Sequence, residues 1–479
     1  MDLSGKAQGI RGGGQGCTQI MEIVNAGACI GCGGCAVASN GAYEIRLGKW
    51  GMYQASPPQR GLSEAEEQAL GTICPFSNTA ENEDEIAARV FPQTPHQHRA
   101  VGVWQAAYVG WVNEGGFRTS GSSGGMVSWF LAELLRRGEI DGVVHVVPHV
   151  PTSTDRRLFK YSLSRTLEEI KRGAKSRYYP IEFSEALAQV REHPGRYAFV
   201  GVPCFVKALR LLMRRDELVR SRIKVCLGLF CGHLKSAAMV DSFALQAGLA
   251  PEAVTAVDFR LKQPDRRADV YTVNLTTADG VTRQRDWTAM VDGNWGMGFF
   301  QYSACNYCDD VMAETADVSF GDAWVPPYSS DGRGTNVVVI RAPEVDAIFR
   351  AAVDEGKLDL REVDGDFLAK TQAAGLRQRR EGLAYRLHRR QGEPTPGKRV
   401  LPDPSGGSWK RRRIYALRCV ISGGSHAVFS TARKLRAFWI YRAWALGMGK
   451  LYRGVYWLDR GSMKQRVKGL LKRRRNAHG

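Results

Sequence analysis

The sequence lacks several features that would assign it to a class at once. Residues 1–17, MDLSGKAQGIRGGGQGC, contain no apolar segment of the kind a secretory signal needs, so we expect a cytoplasmic, reducing environment. No unit of fixed length repeats along the 479 residues, which excludes a solenoid. In a reducing compartment, closely spaced cysteines indicate metal or redox chemistry rather than disulfides. The 11 cysteines are therefore the first residues to examine.

Acidic residues are nearly missing from the C-terminal segment. Residues 406–479 carry 19 Lys and Arg against the single acid Asp459, a net charge of +18. Because the whole chain carries +19, residues 1–405 are close to neutral. With 44% hydrophobic and 24% charged residues, the chain has a globular composition and room for roughly two to four domains.

The same segment also lacks an uncharged apolar run of about 18 residues, which excludes a membrane-spanning helix. Its stretch AVFSTARKLRAFWIYRAWALGMGKLYRGVYWL interleaves cations with Phe, Trp and Tyr, as helices in the membrane interface do. The following KQRVKGLLKRRR would add attraction to anionic lipids, so we expect a peripheral protein on the inner face of the membrane. An acidic partner subunit, a solvated tail and RNA are the alternatives, nucleic acid being the less expected partner.

Strand-length apolar runs alternate with amphipathic runs of helical length, which predicts an α/β fold. The expected strands are AAYVGWV, DGVVHVV, YAFVGVP, IKVCLGLF, ADVSF and NVVVIRA. The expected helices include MVSWFLAELLRRG and FVKALRLLMRRDELVR. The Pro- and Gly-rich stretch GEPTPGKRVLPDPSGGS is expected to end the folded body.

The stretch GACIGCGGCAVASN places Cys29, Cys32 and Cys35 at three-residue steps. Such a run can wrap three thiolates around one corner of an iron–sulfur cube, whereas zinc sites usually come as separated CxxC pairs. Ser39 stands where a two-cluster ferredoxin has its fourth cysteine, and a remote Cys-Pro pair begins at Cys74. We expect these four cysteines to hold one 4Fe–4S cluster; a zinc knuckle or a site without metal is the alternative.

A second set of four cysteines is more widely spaced. Cys204 and Cys231 each follow an apolar strand, and Cys305 and Cys308 form a CxxC in a polar loop. Ligands of open α/β sheets sit at the carboxyl ends of strands, so these soft ligands could hold a second cluster. The alternative is that they are buried core residues. Cys226, inside a predicted strand, is expected to be a core residue, and Cys17, in a Gly-rich leader, is expected to have no role in either set. Cys419 in the tail has no visible partner.

The loop SGSSGG before the helix MVSWFLAELLRRG could present backbone N–H groups to a phosphate. The loop is not a GxGxxG motif, and Ser/Gly loops before helices are common. In GAKSRYYP, Lys175 and Arg177 add two cations that could meet a diphosphate. A nucleotide at this loop is therefore one of two open interpretations.

Several of these segments occur together in one known family. The stretches YVGWVNEGGFRTSGSSGGMVSWFLAELLRRGEIDGVV, AKSRYY, FVGVPCFVKALR, GLFCGH and CNYCDDVMAETADVSFGDAW follow the order found in the coenzyme F420 (deazaflavin) hydrogenase and dehydrogenase beta subunits, and CIGCGGC…CPF also resembles that family. The resemblance covers roughly residues 20–390. Some members occur in bacterial polysaccharide gene clusters.

The resemblance implies FAD beside 4Fe–4S clusters, and electron transfer between the clusters, the flavin and a deazaflavin or another organic acceptor. It implies a metal role for Cys204, Cys231, Cys305 and Cys308. The residues that it implies around the flavin are Ser122, Ser123, Gly124, Gly125, Lys175 and Ser176. Lys207, His233 and Asp322 lie beside motif residues and are the candidates for proton or hydrogen-bond donation.

Four regions follow from the motifs and the resemblance. They are a ferredoxin-like iron–sulfur segment (20–95), an N-terminal family domain (100–190), a C-terminal family domain with the second cysteine set (191–392) and the basic, aromatic-rich tail (406–479). We expect an iron–sulfur flavoprotein oxidoreductase that exchanges electrons with a donor or acceptor protein. A non-catalytic electron-transfer subunit, or a scaffold of a membrane-associated polysaccharide machinery, is the alternative.

Overall fold

The computed structural model describes residues 16–459, with the backbone alone for 457–459. Its helices are α1 Ile20–Asn25, α2 Gly34–Ala38, α3 Glu64–Gly71, α4 Glu83–Val90, α5 Phe117–Ser120, α6 Met126–Arg136, α7 Leu167–Arg172, α8 Ser184–Glu192, α9 Pro203–Met213, α10 Glu217–Arg222, α11 Ala238–Gln246, α12 Pro343–Asp354, α13 Gly365–Thr371, α14 Ala373–Arg379, α15 Glu381–Arg389, α16 Trp409–Lys434 and α17 Phe438–Asp459. Its strands are β1 Ile45–Leu47, β2 Tyr53–Ala55, β3 His96–His98, β4 Gly102–Trp104, β5 Ala106–Val112, β6 Gly142–Pro148, β7 Phe159–Ser164, β8 Tyr197–Gly201, β9 Ile223–Leu229, β10 Val254–Asp258, β11 Thr272–Thr277, β12 Thr282–Asp286, β13 Val318–Asp322, β14 Asn336–Ile340 and β15 Leu358–Glu362.

An eight-stranded mixed sheet forms the centre, in the order β15-β5-β14-β13-β9-β8-β6-β7. Strands β6, β8, β9 and β13 are parallel neighbours, and β14 is antiparallel to both β13 and β5, so β5 runs in the same direction as β13. All residues of β8 and β14 are buried, as expected of strands covered on both faces. The α/β expectation is confirmed, and each of the six predicted strands forms.

Successive residues of the central strands face opposite layers. Ala198 and Leu227 pack with α6 and α12 on one side, whereas Phe199 and Cys226 pack with α8 and α9 on the other. The second of these cores also contains Ile20, Ile73 and other residues of the N-terminal segment. The N-terminal segment therefore shares a core with the body.

Residues 395–399 form a strap across the N-terminal segment. Gly16 forms a parallel bridge with Thr395, and the backbone N–H of Gly397 donates to Asn78 Oδ1 at 2.9 Å. The Arg399 guanidinium lies 3.4 Å from a Glu83 carboxylate oxygen. The strap thus contacts residues that lie more than 300 positions earlier in the sequence.

The folded body does not end at the Pro- and Gly-rich stretch, and that expectation is wrong. Helices α16 and α17 pack against each other and place Ile421, Phe429 and Tyr441 in a core shared with α11, β10 and β11. Apolar residues at helical spacing on one face explain this docking. Within residues 16–459, no helix combines the length and the apolar character needed to cross a bilayer.

Candidate functional site

The carboxyl ends of parallel strands bring the predicted site residues to one edge of the sheet. Strand β8 ends just before Cys204 in the first turn of α9, and β9 ends two residues before Cys231. Asp322 is the last residue of β13. Strand β5, which runs the same way, leads into the Ser/Gly loop before α6. This edge is where ligands bind in open α/β sheets.

The first thiol set consists of Cys29, Cys32, Cys35 and Cys74, whose thiols lie close enough to influence one another's ionisation. Burial raises the pKa of each thiol, to about 12 for Cys74. The neighbouring thiols add to the rise in the pKa of Cys32 and Cys35. Four partly buried thiols in mutual reach form a site that favours a cation able to bind sulfur.

The backbone around the first thiol set is shaped by left-handed glycines. Gly31 has φ +64°, and a Cβ there would lie 2.3 Å from the Tyr53 carbonyl oxygen, so no other residue fits. The Gly31 N–H donates to Cys29 Sγ at 3.4 Å. Ser39 accepts a hydrogen bond from the Tyr43 N–H at 3.0 Å and ends helix α2, which is a structural role.

The second thiol set consists of Cys204, Cys231, Cys305 and Cys308, which the fold brings together from three separate segments. Burial raises the pKa of these thiols, to about 11 for Cys305. The other three thiols of the set raise the pKa of Cys204 further. The Leu234 N–H donates to Cys305 Sγ at 3.2 Å. Sequence separation therefore did not prevent these thiols from converging.

Arg379, at the end of α14, is a member of this site that the sequence did not reveal. Its side chain is 2% exposed and donates to the carbonyl oxygens of Cys305 and Gly232. Burial alone would lower the pKa of Arg379, but the four thiols of the second set raise it above its ordinary value. The segment AGLRQRRE that contains it has no motif, so one sequence offers no signal for this role.

The two thiol sets are neighbours. Burial raises the pKa of the Tyr302 phenol, and the thiols of Cys29 and Cys305 both add to the rise. Burial likewise raises the pKa of Tyr161, with contributions from Cys204 and Cys32. Each of these tyrosines is thus close to one thiol of either set.

The described residues contain no group of three His, Cys, Asp or Glu side chains placed to hold a single metal ion. An iron–sulfur cube occupies the space between its four thiolates, so its ligands stand farther apart than those of one ion. The donor chemistry of both sets is soft thiolate, which suits iron–sulfur clusters and zinc rather than magnesium or calcium.

The Ser/Gly loop is held against the sheet by specific contacts. Ser123 Oγ donates to the Thr335 carbonyl oxygen at 2.9 Å, and the Ser176 N–H donates to Ser122 Oγ at 2.8 Å. At Gly124 a Cβ would lie 2.8 Å from the Gly110 carbonyl oxygen, so the loop approaches β5 closely. These contacts bring the two sequence segments of the predicted flavin site together.

Several cations surround this loop. Lys175 has φ +90° and its Nζ lies 3.2 Å from Asp258. The sequence did not indicate Lys262, whose Nζ donates to the Ser123 carbonyl oxygen at 2.8 Å. A small cavity at this point is lined in part by Ser122, Arg260, Lys262, Arg267, Tyr271 and Gly332. Burial, with contributions from Lys175 and Arg118, lowers the pKa of Lys262 to about 7, so a bound anionic group such as a phosphate would favour its charged form.

Three aromatic rings pack in a row that begins near the second thiol set in sequence and ends near Ser176. The His233 and Trp295 rings stack with centroids 4.1 Å apart, and the Tyr178 ring lies 4.8 Å from Trp295. His233 is two positions after Cys231, and Tyr178 is two positions after Ser176. The rings therefore connect the two parts of the site through direct packing.

The three candidates for proton donation lie in different surroundings. Lys207 is buried and its Nζ lies 3.1 Å from Glu83, so it forms a structural ion pair. Asp322 pairs with Arg260 at 3.0 Å beside the loop. His233 is buried, and its Nε2 has no hydrogen-bond partner among the described residues. The fold therefore does not assemble these candidates into one catalytic group.

The other thiols lie outside both sets. Cys226 is fully buried in β9, and Cys17 is 1% exposed in the same core. Cys419 lies on α16 and is partly buried. The expectation that Cys226 is a core residue is confirmed.

Comparison with known families identifies two segments of the chain. The model described as "Coenzyme F420 hydrogenase/dehydrogenase, beta subunit N-term" matches residues 107–188, and its C-terminus counterpart matches residues 195–366. Together these segments make up more than half of the chain. The second thiol set lies within them, whereas the first thiol set and Arg379 lie outside.

Three curated relatives share about a quarter of their residues with this chain. The Coenzyme F420 hydrogenase subunit beta of Methanothermobacter thermautotrophicus is 24% identical, over 57% of this chain and 91% of the relative. The Coenzyme F420-dependent sulfite reductase of Methanocaldococcus jannaschii is 23% identical, over 72% of this chain and 49% of the relative. A subunit of the F(420)H(2) dehydrogenase of Methanosarcina mazei is 26% identical, over 48% of this chain and 59% of the relative. The chain thus spans nearly all of the first relative and about half of the other two.

A chain of the F420-reducing [NiFe] hydrogenase complex from Methanosarcina barkeri aligns with a TM-score of 0.45 and 17% identity, over 59% of this chain and 92% of that one. The curated relatives are oxidoreductases or oxidoreductase subunits by name. On the two matched segments, the chain belongs to the family of coenzyme F420 hydrogenase/dehydrogenase beta subunits.

Proposed function

We propose that this protein is an iron–sulfur flavoprotein oxidoreductase that moves electrons between 4Fe–4S clusters and a flavin, and on to a deazaflavin or another organic acceptor. One observation carries the proposal. Two sets of four thiols are neighbours in the fold, and the second of them lies at the sheet edge that also holds the Ser/Gly loop. Family membership supports the same interpretation, because the curated relatives that name a cofactor all name F420.

The first thiol set fits a 4Fe–4S cluster by its donors and its backbone. Cys29, Cys32, Cys35 and Cys74 would be the four ligands, with N–H groups such as that of Gly31 directed at sulfur. Burial raises the pKa of these thiols, so free thiolates are disfavoured until a metal binds them.

The second thiol set fits a cluster for a further reason. Cys204, Cys231, Cys305 and Cys308 would be its ligands, and the buried Arg379 guanidinium would face their negative charge. A buried cation without a counter-ion is costly, and bound thiolates would remove that cost. The second cluster is therefore part of the proposal.

The Ser/Gly loop fits the anionic part of FAD. Ser122, Ser123, Gly124 and Gly125 would approach the diphosphate with Lys175 and Ser176, and Lys262 would add a cation from the opposite side. The small side chains allow close backbone approach at the start of α6.

A flavin exchanges two electrons and an iron–sulfur cluster exchanges one, so together they convert between the two kinds of chemistry. The chain's own residues would orient these groups and keep water out. The rings of His233, Trp295 and Tyr178 pack in a row that begins near the second thiol set in sequence and ends near Ser176. His233 is the candidate donor or acceptor nearest the second set, whereas Lys207 is held by Glu83.

Anaerobic purification of the full chain tests this proposal. We expect a brown protein with flavin absorption bands over a broad cluster absorption, FAD by mass spectrometry, and iron and sulfide for two clusters. Reduction of deazaflavin or a substitute acceptor would distinguish an enzyme from a passive electron-transfer subunit. A colourless protein without iron would contradict the proposal and favour the scaffold alternative.

We further propose that the outer face of the C-terminal hairpin, residues 409–456, binds an anionic membrane surface. The hairpin has no acidic residue between these positions. At its turn Leu435 and Trp439 are 63% and 70% exposed. The exposed cations near these side chains and along α17 are Lys434, Arg436, Arg442, Lys450 and Arg453.

Exposed apolar side chains among cations suit the interface between lipid headgroups and water better than they suit bulk solvent. The basic run at 464–475 lies outside the described residues. Localisation at the inner face of the membrane is part of this second proposal.

A further inference from the structure

Arg379 is one of the buried cations that form no ion pair among the described residues, as are Lys235, Arg341 and Arg386. The guanidinium is 2% exposed, and no carboxylate oxygen of the described residues lies within 4.0 Å of it. It donates to the carbonyl oxygens of Cys305 and Gly232. Among opposite charges, the four thiols of the second set, once ionised, contribute most to raising the pKa of Arg379. Two acids also act on that set: Asp309, which is paired with Lys398, and Asp310.

The cations near the first thiol set are neutralised by acids. Lys207 and Lys398 both act on Cys74, and Lys398 also acts on Cys308 of the second set. Lys207 Nζ lies 3.1 Å from Glu83, and Lys398 Nζ lies 3.8 Å from Asp309. The field of each ammonium at Cys74 is therefore reduced by a nearby carboxylate.

The cation beside the second set is unpaired whereas those near the first set are paired, and this difference would affect electron transfer. Reduction adds one negative charge to a cluster, and the potential of a cluster depends on nearby charge and on solvent exposure. An uncompensated cation in a buried site stabilises the reduced state far more than a paired one does.

Arg379 also lies beyond residue 366, outside the segments that the family models match.

We infer that the positive charge of Arg379 raises the reduction potential of the second cluster above that of the first. Electrons that enter at the first cluster would then be transferred to the second cluster, beside the Ser/Gly loop. The inference depends on the proposed function, since it requires both clusters to be bound.

The test is a redox titration of the anaerobically purified full-length protein, followed by electron paramagnetic resonance. Cys35→Ala removes the first cluster and thereby assigns the two signals. In wild type, the signal of the second cluster should have the higher midpoint reduction potential. Arg379→Gln should lower that midpoint by at least tenfold in the one-electron equilibrium, about 59 mV, and leave the first unchanged. Arg379→Lys, which keeps the charge, should retain most of the wild-type value.

Arg380→Gln is the matched control, because Arg380 is the next residue but pairs with Glu314 at 2.9 Å. It should leave both midpoints unchanged. An equal shift in Arg380→Gln, or no shift in Arg379→Gln, would overturn the inference. If Arg379→Gln does not bind the second cluster, the test rests on wild type and Arg379→Lys. In either protein, a midpoint potential of the second cluster that is equal to or below that of the first cluster would overturn the inference. Wild type without two clusters would instead refute the proposed function.

Discussion

Each thiol of the two sets ionises with difficulty by itself, and we expect it to bind metal only together with the other thiols of its set. Burial raises the pKa of all eight thiols above the ordinary value of cysteine. Metal binding must therefore release protons, and loss of one ligand leaves three thiols without their partner. Substitution of single cysteines is accordingly the sharpest probe of the sites.

Cys74→Ser is expected to remove one cluster. The variant should lose iron and sulfide equivalent to one 4Fe–4S cluster and keep its flavin, because Cys74 belongs to the first set alone. Iron, sulfide and flavin per chain are the measurements. Cys226→Ala is the control: Cys226 is fully buried in β9, outside both sets, and its loss should leave iron unchanged. Unchanged iron in Cys74→Ser would remove Cys74 from the ligand set.

The four cysteines of the second set are expected to act as a unit. Separate Ala variants of Cys204, Cys231, Cys305 and Cys308 should each lose the same share of iron, since one missing ligand destabilises the whole cluster. Iron content and unfolding midpoints of the four variants are compared. Constant iron with four unequal losses of stability would mean that these thiols are core residues only.

The sequence revealed the thiols but not the groups that surround them. CIGCGGC and the two strand-end cysteines carry visible spacing, which is why both sets could be predicted. Arg379 and Lys262 carry none, because their roles arise from long-range packing: Lys262 meets the Ser123 carbonyl 139 positions away. Counter-charges of this kind become visible only when the chain is folded.

At the level of secondary structure, the C-terminal hairpin depends on a buried histidine. His426 on α16 is 6% exposed; its Nδ1–H donates to the Ser422 carbonyl oxygen at 2.8 Å, and its Nε2 lies 3.0 Å from Ser236 Oγ. Burial lowers the pKa of His426 to about 4, and Lys235, the charged group acting on it, lowers the pKa further. The hairpin is therefore docked through a neutral imidazole.

Acid should loosen this docking. Above pH 6.5 His426 is neutral whether the hairpin is docked or free, so stability is unaffected. As the pH falls from 6.5 to about 4, only the undocked imidazole takes up a proton, and docking weakens by up to about 3 kcal/mol. Urea midpoints at pH 7.5 and 5.0 measure the loss.

The matched variants are His426→Gln and His193→Gln. The first should be less stable at pH 7.5 but should lose less stability on acidification than wild type. The second replaces an exposed histidine and should keep the wild-type pH dependence. Equal acid sensitivity of His426→Gln and wild type would contradict a role for this residue.

Local patterns predicted the elements better than their arrangement. The run NVVVIRA forms β14 and MVSWFLAELLRRG forms α6, because strand and helix periodicities are local properties. The docking of α16 and α17 was missed, since cations and aromatics alternate along them and masked the buried stripe of Ile421, Phe429 and Tyr441. Tertiary packing, rather than composition, decides which aromatics remain exposed.

For the whole molecule, charge is separated: a near-neutral body carries a strongly basic hairpin and the basic residues beyond it. Full-length protein should bind vesicles that contain anionic phospholipid, and bind neutral phosphatidylcholine vesicles weakly. Each Lys or Arg near the surface contributes about 1 kcal/mol, less as salt rises. Cosedimentation at low and high salt measures both the charge-dependent and the apolar contributions.

The combined variant Leu435→Ala and Trp439→Ala should lose the salt-resistant part of this binding. Val150→Ala with Leu401→Ala is the control, because those side chains are also exposed, 75% and 56%, but lie outside the hairpin. Deletion of the hairpin is a poor test, since it would remove Phe429 and Tyr441 and thereby uncover Phe300, against which both rings pack. Wild type that ignores anionic vesicles but binds RNA or an acidic protein would identify the hairpin as a docking arm.

The strap at residues 395–399 bears on the order in which this protein is made. The cysteines of the first set leave the ribosome early, yet the strap covers that segment, with Lys398 Nζ 4.5 Å from the Phe76 ring centre and Arg399 paired with Glu83. Residue 399 is synthesised more than 300 codons after Cys74. If the first set holds a cluster, as we propose, that cluster would be inserted most readily before the strap is synthesised. The interval between translation of Cys74 and translation of Arg399 would then set the time in which the first site can be reached from the side that the strap covers.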